Sequence, residues 1–81
     1  MGLARDELDL VKEGKSILNR CKPDEPVFIL RAKDLLAPAM VELWIAAGIA
    51  FGVEQEKVEA AKFLAKQMRI WRETNNPKLP D

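Results

Sequence analysis

From Leu35 to Val53 the chain runs nineteen residues with one charge, Glu42. Every other position there is apolar, glycine or proline, including Met40, Leu43, Trp44, Ile45, Ile49 and Phe51. A helix that is apolar all round must be covered all round. Little chain remains to do this, so the cover is expected to come partly from other copies of the protein.

Size points the same way. Eighty-one residues make one small domain. A core of that size rarely supplies more than about 3–5 kcal/mol, so disulfides, a metal or a partner subunit usually help. Cys21 is alone and histidine is missing, so neither an internal disulfide nor a structural zinc site is expected. Oligomerisation is the remaining aid, and no cofactor is implied. The lone thiol fits a reducing cytosol. Thirteen Lys plus Arg balance thirteen Asp plus Glu, with seven of each sign in residues 1–40 and six of each in 41–81. Binding to DNA or RNA through the phosphate backbone is therefore disfavoured. The N-terminal MGLARDELDL is acidic and has no apolar stretch of signal-peptide type. A membrane span over 35–53 is long enough on paper. Pro38, Glu42, two glycines, five alanines and acidic or mixed flanks argue against it.

Three helices are expected. The first, from about Leu3 to Cys21, carries Ala4, Leu8, Val11, Leu18 and Cys21 at helical steps. Gly14 weakens its middle by about 1 kcal/mol relative to alanine, and Pro23 stops it. Val27-Phe28-Ile29-Leu30 reads as extended, either pairing with another copy or lying over the helices. Asp34 is a candidate cap for the apolar helix, with a turn from Asp34 and regular helix from Pro38. Gly52 supplies a left-handed end. The third helix spans about Gln55 to Thr74, poorly capped by Glu54, with Val53 and Val58 spaced as a hydrophobic staple. Its main stripe is Val58, Ala61, Leu64, Ala65, Met68 and Trp71, while Phe63 and Ile70 face about half a turn away at roughly 100° per residue. The Lys78-Leu79-Pro80-Asp81 tail is expected to be held.

Few residues suggest chemistry. There is no His, no Tyr, no Gly-rich phosphate loop and no serine beside a base, so no catalytic residue is assigned and an enzyme is not expected. Trp44 and Trp71 fit core positions, with stacking on a flat ligand as the sharper reading. Arg31 and Lys33 beside Phe28 suit a phosphate next to a stacked base, or equally a solvated rim. Lys62, Lys66 and Arg69, flanked by Glu59 and Glu73, read as a self-paired face. Glu42 fits a wet spot on its helix, with Arg31 or an arginine of another copy as alternative partners. Gly48 permits close approach of another backbone, or has no such role.

Residues 24–81 resemble a widespread group of small proteins from tailed phages and prophages. The pattern is Pro26-Val27-Phe28-Ile29-Leu30-Arg31-Ala32-Lys33-Asp34, Leu36-Ala37-Pro38, Val41 with Trp44, Gly52-Val53 with Glu56-Lys57-Val58, Met68 with Trp71, and the terminal Lys78-Leu79-Pro80-Asp81. This chain departs from it in its more apolar residues 45–51 and in Glu54, where a capping serine or similar is usual. The resemblance implies a setting rather than a mechanism: small accessory proteins in the host cytoplasm. Some proteins of this size are helical oligomers that sequester nucleotide signals of host defence between subunits, which is an analogy of size and class.

The combined expectation is an all-α homo-oligomer built on a helical hairpin, a three-helix protomer with a short extended segment. It forms one domain over 1–81, with an N-terminal helix at 1–22, an extended linker at 23–34, and the hairpin and tail at 35–81. The leading functional reading is a non-enzymatic binder of a nucleotide-like ligand at a subunit interface. Arg31 or Lys33 would meet the phosphates, Phe28 or Trp44 would stack on the base, and Asp34 would accept a hydrogen bond. The alternative is a helical module that docks on a host or phage protein; a plain structural subunit is the third reading.

Overall fold

The structure, a computed structural model, describes residues 2–79. These contain four helices, α1 (Ala4–Lys12), α2 (Ile17–Arg20), α3 (Ala37–Ala50) and α4 (Gln55–Arg72), and among the described residues no strand. The all-α expectation holds. α3 and α4 form the hairpin, and no other pair of helices packs comparably. Pro80 and Asp81 of the tail pattern lie outside the described residues.

The single N-terminal helix expected over 1–22 is divided in two. Gly14 takes φ +72°, a left-handed conformation that costs glycine little. Its N–H bonds the Val11 carbonyl and the Lys15 N–H bonds that of Leu10, which closes α1 in the Schellman pattern. Ser16 then opens α2. Its hydroxyl accepts the Leu18 N–H at 3.1 Å, and Asn19 Oδ1 accepts the Ser16 N–H at 2.9 Å. Asn19 also donates to the Val11 carbonyl at 3.3 Å, tying α2 to the end of α1. Neither short helix buries a residue. The protomer is thus a hairpin with a two-part N-terminal arm, not three packed helices.

The hairpin core is thin. Ala37, Val41 and Ile45 of α3 meet Val58, Ala61, Ala65 and Met68 of α4, with Leu30, Ala32, Val53 and Leu64 against them. The alanines let the two helix backbones approach closely. α3 starts one residue before Pro38, and Asp34 is not its cap; Leu36 holds that position without a side-chain bond. Asp34 instead closes a turn, donating its N–H to the Arg31 carbonyl and accepting the Arg31 N–H on Oδ2. At the far end Gly52 takes φ +80°, and Val53 donates to the Gly48 carbonyl at 2.9 Å. This is again the Schellman pattern, with Val53 folded back over Gly48. A Cβ on Gly48 would sit 3.4 Å from Val53, so the close approach at Gly48 is by a side chain of the same chain. Glu54 makes no side-chain cap, as expected.

Residues 27–30 lie over the hairpin, with no strand partner among the described residues. Lys78, at the start of the tail, is held: it donates to the Lys33 carbonyl at 2.9 Å and accepts the Leu35 N–H, an isolated parallel bridge. The chain is expanded for its length. Its radius of gyration is 13.5 Å, against about 12 Å for a compact domain of this size.

Gly52→Ala should lower stability by about 1–2 kcal/mol, because it forces a left-handed L-residue. Gly48→Ala should be neutral or raise stability by up to about 1 kcal/mol, through helix propensity. Urea unfolding of the two variants reads both.

Candidate functional site

The extended segment leaves a groove between itself and the hairpin. Leu30 is half-buried on the core and anchors the segment, while Phe28, at 81% exposure, projects from it. On one side of Phe28 is an open cleft of about 410 Å³ lined by Phe28, Ile29, Leu30, Arg31, Asp34, Leu36 and Met40. On the other is a cleft of about 280 Å³ formed by Phe28, Leu30, Met40, Val41, Trp44, Ala61, Leu64 and Met68. The larger volume falls within the usual range for small-molecule pockets, about 300–1,000 Å³.

The structure thus brings together four of the five residues the sequence suggested. Phe28, Arg31 and Asp34 line the larger cleft, and Trp44 joins Phe28 in the smaller. Lys33 lines neither; its carbonyl is engaged by Lys78. Leu36 and Met40 were not singled out as site residues. Their four-residue spacing sets them one above the other on α3 and is the signal that would have found them. Arg31 and Asp34 are the charged residues of a wall that is otherwise apolar. Asp34 is buried, and its bond to the Arg31 N–H fixes the turn that presents Arg31.

Other expectations change in the folded chain. Trp44 and Trp71 are not core residues, being 44% and 42% exposed. The core is filled instead by small and mid-sized side chains at the helix crossing. Glu42 lies at a wet position, as the leading reading expects, and pairs with Arg69 of α4 across the hairpin, not with Arg31. Both side chains are more than half exposed, so the pair contributes little, in the range of about 0–1 kcal/mol. Lys62 meets Glu59 at 3.2 Å within α4, as its spacing suggested. Cys21 donates to the Ile17 carbonyl at 3.4 Å. Desolvation, with the Glu25 carboxylate nearby, pushes its thiol up from the ordinary value. Among the described residues no His, Cys, Asp and Glu cluster could hold a metal ion, and no helix is long and apolar enough to cross a membrane.

Asp34→Ala should cost about 0.5–1.5 kcal/mol, since it removes the side-chain bond that closes the turn at Arg31. Asp34→Asn keeps an acceptor oxygen and should cost clearly less; chemical denaturation of both variants makes the comparison. No family model, curated protein or solved structure matches this chain.

Proposed function

We propose that this protein is a non-enzymatic homo-oligomer that captures a small nucleotide-like anion in the groove beneath Phe28. The observation that carries the reading is surface area. The chain exposes 6621 Å², whereas a compact monomer of 9.1 kDa exposes about 4,900 Å². The excess of about 1,700 Å² is roughly twice what one partner gives to a standard interface. Two contacts per copy would absorb it. Much of the excess is large and apolar: Phe28, Leu43, Ile49, Phe51, Phe63 and Ile70 are all more than half exposed.

A neighbouring copy across the groove would turn an open cleft into an enclosed one. Phe28 and Trp44 offer ring faces for a base. Arg31 offers a planar guanidinium that bonds phosphate oxygens in pairs. Closure against water would strengthen that charge contact. Binding of this kind needs preorganised contacts and no turnover. The resemblance to small phage proteins supplies the setting, the host cytoplasm; a nucleotide signal of host defence as ligand is the analogy of size and class.

A second reading is favoured by the same exposed apolar surface: α3 docks on a host or phage protein and inhibits or scaffolds it. The two readings part on ligand binding. Thermal unfolding against a panel of linear and cyclic mono- and dinucleotides should show a raised midpoint for at least one of them. Arg31→Ala should remove most of that shift. A flat response across the panel overturns the ligand reading and leaves docking.

A further inference from the structure

We infer that the outward face of α3 pairs with the same face of a second copy, antiparallel, about a two-fold axis at Leu43. The inference rests on the self-association proposed above and specifies one of its contacts. The core side of α3 is spent on α4. Its opposite side carries Leu36, Ala39, Leu43, Ala46 and Ala50, all exposed in the single chain. Their spacing alternates three and four residues, the seam of a helix that packs on another helix. Leu36 is 50% and Leu43 61% exposed, too much apolar surface at regular intervals for a solvent face.

The occupant is a second copy for three reasons. The surface excess of the chain is large enough for a contact of interface size. The seam carries no charge, so it offers nothing for a charged partner to recognise. It is also complementary to its own reversal, as a two-fold contact demands. Leu36 and Ala50 lie seven residues either side of Leu43, with Ala39 and Ala46 four before and three after it. Reversal about Leu43 brings Leu36 level with Ala50 and Ala39 within one residue of Ala46. Bulk meets a gap at the two ends, alanine meets alanine between, and Leu43 meets its copy at the axis. The alanines allow the backbones within about 8 Å, the close end of helix packing. A parallel pairing would instead stack Leu36 on Leu36 and leave the alanine end hollow.

The test is site-directed disulfide formation in the full chain with Cys21→Ser. Leu43→Cys should give a covalent dimer under mild oxidation, because residues at the axis come within disulfide reach. Leu36→Cys alone should not, while a mixture of Leu36→Cys and Ala50→Cys chains should cross-link to each other. Self-linking of Leu36→Cys overturns the antiparallel register. If Leu43→Cys stays unlinked while the parent chain still self-associates, the seam is wrong and the oligomer stands. If the parent chain is a monomer, both are wrong. Leu43→Glu provides an independent check that needs no oxidation. It should reduce the particle mass, and an unchanged mass overturns the proposal.

Discussion

The contact of α3 with α4 buries Ala37, Val41 and Ile45 against Val58, Ala61, Ala65 and Met68, and the other elements take their positions from it. Close approach through alanine makes this seam narrow. Narrowness has a consequence for α3, whose side chains are apolar in every direction but one. A single helix partner covers about one face of a helix. The extended segment covers a little more through Leu30, and the tail bridge fixes the entry to α3. The rest, from Leu36 to Ala50 on the far side, is left bare.

That bare surface links fold to function. Small domains sit near the limit of stability, and one that leaves Leu43 and Phe51 in water forgoes part of its available hydrophobic stabilisation. In the proposed assembly, association of copies would recover it and would build composite pockets where copies meet. The groove under Phe28 lies at the N-terminal half of α3, beside the proposed seam, and its walls already hold rings and one guanidinium. Such a site needs no catalytic group. The chemistry present, an arginine on a turn braced by Asp34, suits binding.

What was legible in the sequence were features set by local rules. The ends of α3 and α4 were found to within a residue or two, because Gly52 and Pro38 act on their own neighbours. The missing cap at Glu54 was visible for the same reason. The break in the N-terminal helix is also local, but helix propensity at Gly14 does not reveal it; the signal is Gly14 together with Ser16 and Asn19, which restart the helix beyond it. Asp34 is not a cap because its carboxylate turns back to the Arg31 N–H, while its backbone carbonyl takes the Ala37 N–H. Other features depend on tertiary register. Glu42 and Arg69 lie 27 positions apart, and their pairing follows only once the hairpin is in register. Size alone favours the core for the tryptophans, but the alanine-lined seam leaves them half exposed at its edge. Of the site, aromatic and cationic residue types pointed to Phe28, Arg31 and Trp44. Leu36 and Met40 became visible only when the extended segment was seen to cross α3.

The central claim is that this chain cannot cover its own most apolar helix and that copies cover each other. Sedimentation velocity across a wide concentration range tests it most directly. The account predicts one discrete species at a multiple of 9.1 kDa, persisting on dilution and binding little apolar dye. A stable 9.1 kDa particle at every concentration would contradict it.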